Sequence, residues 1–349
     1  MKIAFFTDLH FGKRQDSIQF TEDCFEFVKW ATLRAQREGA SCLVFGGDWH
    51  HNRTHLNLYT MRRSLAALRH ISSNFEKVFI ILGNHDLYFK EALSVHSMEF
   101  AREFKNIFLI EEPTRLSENV SLVPWLVDSA KDKVQSVMAP FLFGHFEISR
   151  FRFNSGQVVE HASLSPEDFV GASVVFSGHF HNRQKIVCDE GHTILYTGAA
   201  FPHNYEDAGQ RERGLTIIDT DSGDHVLHTW EEQPTFDYLS LDQLEAFIAE
   251  GPSPKRSVKI FIDNTTSSED VRELRNFLVN ELLYREVSFS SRSVLEINNS
   301  MDSATVETLS VDNMVLSLLE RLQDDNKSNL DIKMLQDIYR NIQEQSRDI

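Results

Sequence analysis

The chain has 349 residues, 41% of them hydrophobic, which allows one large domain plus a smaller one, or two to three units, around a substantial core. Its formal net charge of −17 excludes the generally basic surface by which proteins usually hold nucleic acid. Any such role must draw on metal ions, a local basic rim or a partner subunit. No apolar run approaches the roughly 18 residues a membrane span needs.

The first run, "IAFF" (3–6), continues into "TDLHFG", where Asp8 and His10 interrupt the apolar stretch and rule out a secretory signal. "TEDCFEFVKWATLRAQREG" then reads as a helix opened by Thr21 as its cap and closed on Gly39. After "CLVF" (42–45), Leu58, Met61, Leu65 and Leu68 recur at helical spacing. Further strands are expected at "VFIIL" (78–82), "FLF" (141–143), "VVF" (174–176) and "ILY" (194–196), and "GLTIIDTDSGDHVLHTW" reads as two strands joined by a turn. This alternation predicts an α/β domain over residues 1–234. Cys24, Cys42 and Cys188 are widely spaced and read as reduced packing residues of a cytoplasmic protein.

"EGPSPKRS" (250–257) concentrates Pro, Gly and Ser as a linker. A small α/β unit follows: "SVKIFID" as a strand, "SSEDVRELRNFLVNELL" as a capped helix and "REVSFSS" as a second strand. Linker and unit make a second domain over 235–300. In the tail, 301–349, Val311, Met314, Val315, Leu318, Leu319 and Leu322 form one apolar stripe; Leu335, Ile338, Tyr339 and Ile342 form another. Two amphipathic helices in a hairpin cannot make a core alone. They either pack back on the body or await a partner.

Five apolar strands end in Asp, Asn or His. "TDLHFG" gives Asp8 and His10, "GGDWHH" gives Asp48, "GNHD" gives Asn84, His85 and Asp86, "GHF" gives His145, and "GHFHN" gives His179 and His181. In an α/β sheet the carboxyl ends of the strands border one crevice, so these side chains are expected to converge there as metal ligands. Asp8 and His10 can share one ion, the two oxygens of Asp48 can bridge two, and Asn84, His145 and His179 can complete the second. Nitrogen and oxygen ligands without thiolate favour Mn, Fe or Zn. Two ions about 3.5–4 Å apart activate water and clamp attacking and leaving oxygens in displacement at phosphorus.

D-x-H, G-G-D, G-N-H-D, G-H and G-H-x-H in series resemble the calcineurin-like metallophosphoesterase superfamily over roughly the first 200 to 230 residues. "GGDWHHNRTH" further resembles the SbcD-type nuclease subunits of double-strand-break repair complexes and phage recombination endonucleases. The resemblance implies a two-layered β-sandwich flanked by helices, with a small α/β cap and a C-terminal helical hairpin. It implies two divalent ions, Mn²⁺ first and Mg²⁺, Fe²⁺ or Zn²⁺ as alternatives. Asp8, His10, Asp48 and His181 would hold one ion; Asp48, Asn84, His145 and His179 would hold the other. His85 would protonate the leaving oxygen or stabilise the transition state, and His51, three residues after Asp48, would assist nuclease action. Asp86 would orient the His85 ring, or serve only as a turn residue.

The same resemblance implies DNA as substrate, a homodimer joined through helices such as the one carrying Leu58, Met61, Leu65 and Leu68, and an SMC-like coiled-coil ATPase gripped by the tail. It implies 3′-to-5′ exonuclease and endonuclease activity and a bacterial or phage source. The alternatives are a phosphoesterase acting on nucleotides or phosphoproteins, and a non-catalytic scaffold. Lys13, Arg14, Arg53 and Arg183 lie next to the metal motifs and read either as a positive rim for a DNA backbone or as exposed charges. His50 reads as packing or solvent-facing. "YTGAAFPHNYED" (196–207) follows another strand and reads as able to line the cleft, where the resemblance implies a substrate-facing loop, but His203 is given no role; His55, His70, His96, His161, His192, His225 and His228 read as surface or core residues.

Overall fold

Strands buried on both faces need continuous apolar runs, and the runs that open the chain are of that kind. In the computed structural model, which describes residues 1–90, 92–127, 130–263 and 266–291, they assemble into two six-stranded sheets. The first runs, in spatial order, His225–Thr229, Gly214–Asp219, Lys2–Phe6, Cys42–Phe45, Lys77–Ile81 and Ile107–Ile110. The second runs Gln184–Val187, Thr193–Tyr196, Val174–Gly178, Phe141–His145, Val120–Val123 and Thr114–Arg115.

The sheets face each other. Ile3, Phe5, Val44 and Ile81 from the first pack on Leu122, Phe143, Phe176 and Leu195 from the second, with the Phe5 and Phe143 ring centroids 5.4 Å apart. Alternate residues turn outward, as a period of two requires. Ala4, Phe6, Leu43 and Phe45 meet the apolar faces of helices Ile18–Arg37 and Leu58–Asn74; Leu142, Val175 and Ile194 meet Phe146, Phe169 and Phe180 on the far side. The expected helix-flanked sandwich is the observed architecture.

Two local expectations differ. Helix Ile18–Arg37 is capped by Ser17, whose hydroxyl accepts the Phe20 N–H, so it starts one turn earlier than "TEDCF", and Thr21 is buried inside it. The stripe on helix Leu58–Asn74 is split: Leu68 is in the core, whereas Leu58 and Met61 are exposed.

Met1–Phe261 and Thr266–Phe289 form one compact unit. In this unit, strand Thr235–Ser240 pairs in parallel with the strand beginning at Arg256. Asp23 on helix Ile18–Arg37 accepts from both Nη atoms of Arg285, and Lys255 pairs with Glu26 at 2.6 Å. Strand Thr235–Ser240 and helix Leu241–Ala249 were not anticipated, because the helix is short and the strand alternates only partly. The tail hairpin expected at 301–349 lies outside the described residues. Among the described residues, no helix is long and apolar enough to cross a membrane.

Candidate metal centre

Parallel registry is what gathers the site. Ile3 pairs with Cys42 and Cys42 with Lys77, so Asp8, Asp48 and Asn84 emerge at one edge of the first sheet. Val174 pairs with Phe141 in the second sheet, which brings His145 and His179 to the corresponding edge. The backbone turns sharply at this edge: Asp8 (φ 54°), His10 (φ 52°), Asp48 (φ 59°) and His179 (φ 94°) all occupy the left-handed region. Non-glycine residues rarely adopt it, and such strain concentrates at functional sites. Gly83 permits the close approach, since a Cβ there would stand 2.2 Å from Asp48 Oδ1.

All seven expected ligands meet. His10 Nε2 lies 3.0 Å from His181 Nε2 and 3.7 Å from Asp8 Oδ1, while His181 Nε2 is 3.8 Å from the same oxygen. On the other side, Asn84 Oδ1 stands 3.0 Å from His145 Nε2 and 3.1 Å from His179 Nδ1. Asp48 Oδ2 sits between the two groups, 3.5 Å from both His10 Nε2 and His145 Nε2.

The donor chemistry fits two divalent cations. Asp8 and Asp48 are buried carboxylates with no Lys or Arg salt bridge among the described residues, and burial raises the Asp8 pKa. Burial pushes His10 and His181 well below the usual imidazole range, leaving neutral rings with lone pairs to donate. His145 differs. Burial lowers its pKa, but the Asp48 charge outweighs that and brings it to about 9. It therefore holds a proton that a cation would displace. Its Nδ1–H donates to the Gly46 carbonyl at 2.8 Å, aiming Nε2 into the site. His179 is oriented likewise, its Nε2 3.3 Å from Glu147.

His85 lines the cleft, about 320 Å³, together with Lys13, Asp48, His179 and His181. Its backbone N–H donates to Asp48 Oδ1 at 2.8 Å, and its Nδ1–H donates to the His51 carbonyl at 2.9 Å. Asp86 does not orient that ring. Its buried carboxylate accepts the backbone N–H groups of Gly83, Asp48 and His50 at 3.0–3.1 Å and so holds two ligand-bearing loops together. His50 is buried between Ser64 and Ser97, a packing residue.

The expected basic rim is uneven. Lys13 is in the cleft, 3.2 Å from His203 Nδ1. Arg14 is paired with Glu286 at 2.6 Å. Arg53 and Arg183 each bury an Nη1 that has no hydrogen-bond partner among the described residues. Sequence reasoning missed His203, which is fully buried with its ring centroid 5.0 Å from that of His181 and 5.5 Å from that of His10. Its only signal was its place in a loop after a strand. Glu147 and Trp125, whose ring lies 5.1 Å from His179, gave none.

Several solved structures are similar to this chain at low identity. A dimetal phosphatase from Danio rerio shares 10% identity, with 62% of this chain and 91% of that one covered and a TM-score of 0.39. For Yfce, a phosphoesterase from E. coli, the values are 16%, 66%, 98% and 0.34; for the nuclease MPE of Pseudomonas putida they are 17%, 64%, 87% and 0.31. No curated protein matches the sequence. The calcineurin-like phosphoesterase family model matches residues 1–264, a span that includes every ligand-bearing loop. By that match the chain belongs to the calcineurin-like phosphoesterases, a family of metal-dependent hydrolases that use two divalent metals.

Proposed function

We propose that this phosphoesterase is the nuclease subunit of a DNA double-strand-break repair or recombination complex, cutting phosphodiesters as a 3′-to-5′ exonuclease and endonuclease with Mn²⁺. The observation that carries the reading is the position of His51: its Nδ1 is 3.3 Å from His10 Nδ1, and its ring stacks on His85. A histidine at this offset from the bridging aspartate is what the sequence shares with the repair nucleases.

Asp8, His10, Asp48 and His181 would hold one ion, and Asp48, Asn84, His145 and His179 the other. When bound, two divalent ions polarise phosphoryl oxygens and lower the pKa of an attacking water. The rest falls to the chain's own groups. Glu147 and the Gly46 carbonyl aim His179 and His145. The His51 carbonyl keeps the His85 proton on Nδ1, so that Nε2, once protonated, can deliver a proton to the leaving oxygen. Lys13 adds positive charge beside the anionic substrate.

The homodimer and the coiled-coil ATPase partner belong to this proposal. Exposed Leu58 and Met61 support a helical dimer face. Co-expression with a candidate coiled-coil ATPase tests the whole: Mn²⁺-dependent cleavage of linear duplex, with binding lost on deletion of 304–349, is expected. Hydrolysis of nucleotides or phosphopeptides without any cleavage of DNA would favour the second reading, a phosphatase on the same metal site.

A further inference from the structure

His203 is a buried imidazole beside the metal ligands that the metal centre itself leaves unused. Its ring is held by four others, those of Phe20 at 5.2 Å, Phe201 at 5.3 Å, His181 at 5.0 Å and His10 at 5.5 Å between centroids. Its backbone N–H donates to Asp207 Oδ2 at 2.8 Å, which fixes the loop that carries it. The imidazole has one hydrogen-bond partner among the described residues, the Lys13 ammonium, 3.2 Å from Nδ1. Nε2 has none among them. His181, His203 and Asp207 stand close enough to share a metal ion. Lys13 at His203, and Arg213 at 2.9 Å from Asp207 Oδ1, already bring two positive charges there. The cluster therefore suits a cation of the chain's own rather than a third metal.

An ammonium has three donors and no lone pair, so Nδ1 accepts in this contact and the ring proton sits on Nε2. Lys13 pairs with no carboxylate among the described residues, although Asp48 and Glu206 line the same cleft. Its charge is left for a substrate. The backbone presents it from a strained turn: Arg14 (φ 57°), Gln15 (φ 58°) and Asp16 (φ 57°) follow one another in the left-handed region. Non-glycine residues visit that region singly, not in runs, and strain of this kind gathers at functional sites. The Lys13 N–H donates to the His10 carbonyl at 3.0 Å, tying the turn to a ligand-bearing loop. A lysine side chain is a flexible four-carbon stem, and the hydrogen bond to His203 selects the arrangement that keeps its ammonium in the cleft.

We propose that His203 is a positioning residue for phosphoester hydrolysis. Its Nδ1 takes one N–H of Lys13 and directs the remaining donors to a non-bridging oxygen of the phosphoryl group, which Lys13 contacts directly. The assignment holds for any phosphoester and rests on the family's metal-dependent hydrolysis, not on the nuclease reading.

Full-length protein in Mn²⁺, hydrolysing bis-p-nitrophenyl phosphate, tests it, with retained metal as a second readout. Lys13→Met should lower kcat/KM about 10- to 100-fold, the worth of a hydrogen bond from a charged group, at wild-type metal content. His203→Leu should lose nearly as much. His203→Asn, whose amide oxygen replaces Nδ1 as acceptor, should stay within about threefold of the wild type. The double variant Lys13→Met/His203→Leu should be no slower than Lys13→Met alone, because two residues acting through one contact are not additive. If His203→Leu does not fold, His203→Gln, whose acceptor stands one bond too far out, takes its place in both comparisons. Losses that multiply in the double variant, a His203→Leu enzyme as fast as the wild type, or one that sheds its metal would overturn the assignment. The substrate is not a nucleic acid, so failure of the nuclease reading shows separately, as no cleavage of linear DNA.

Discussion

The His51 ring lies stacked on that of His85, centroids 5.1 Å and planes 15° apart, while the His51 carbonyl accepts the His85 Nδ1–H. One residue thus supports the other by ring and by backbone. His85 contacts Asp48 through its main-chain N–H rather than its ring. His85→Gln should therefore keep the metal content of the wild type and lose about 10²–10⁴ in turnover, the usual worth of a positioned acid. Metal loss in that variant would show that the ring is a ligand.

His51→Ser removes the stacked ring but leaves the carbonyl that fixes the His85 tautomer. Exonuclease action on linear duplex should fall further than endonuclease action on circular single strands. An equal fall in both assays would remove the special role given to His51.

His10 and His181 present their Nε2 atoms to each other at 3.0 Å beside Asp8. Two neutral imidazoles and a buried carboxylate converging this way gain a cation's attraction only in the folded state. Chelation should lower the melting temperature, and Mn²⁺ at about 100 times its Kd should return about 2.7 kcal/mol. His181→Gln should shrink that gain. A melting curve indifferent to metal would contradict the convergence.

Asp86 accepts three backbone N–H groups with one buried carboxylate. Asp86→Asn offers a single accepting oxygen and turns an NH₂ toward donors. Urea titration should show a loss of about 1–3 kcal/mol. A change within about 0.5 kcal/mol, the ordinary range for surface substitutions, would mean that the loops hold without it.

Burial raises the Cys24 thiol well above its usual range and the Cys42 thiol to about 11. At pH 8 roughly one Cys42 in a thousand is thiolate, and the thiolate is the reactive form. A thiol reagent should label Cys188 first and reach Cys24 and Cys42 only on unfolding. Two or more fast thiols per chain would indicate an open first sheet.

The strands and the metal cluster were legible because each apolar run is short, buried on both faces and ended by a polar motif. Parallel pairing then places every motif at the same edge. His203 was not legible as a site residue, because it stands seven residues past the end of strand Thr193–Tyr196 rather than directly at a strand's end, and only tertiary folding seats it against His181. Glu147 likewise acts through a contact across 32 residues that no local pattern encodes. For Asp86 the sequence left ring contact and a turn role both open, and the turn directs its carboxylate to backbone donors. Strand Thr235–Ser240 was not legible because half of its side chains are not apolar.

Metal stoichiometry tests the central claim most directly. Elemental analysis of purified protein soaked in Mn²⁺ and desalted should find two ions per chain, and at most one in Asp48→Asn, since Asp48 stands between the two ligand groups. A wild type that retains none, or an Asp48→Asn variant that still holds two, would contradict it.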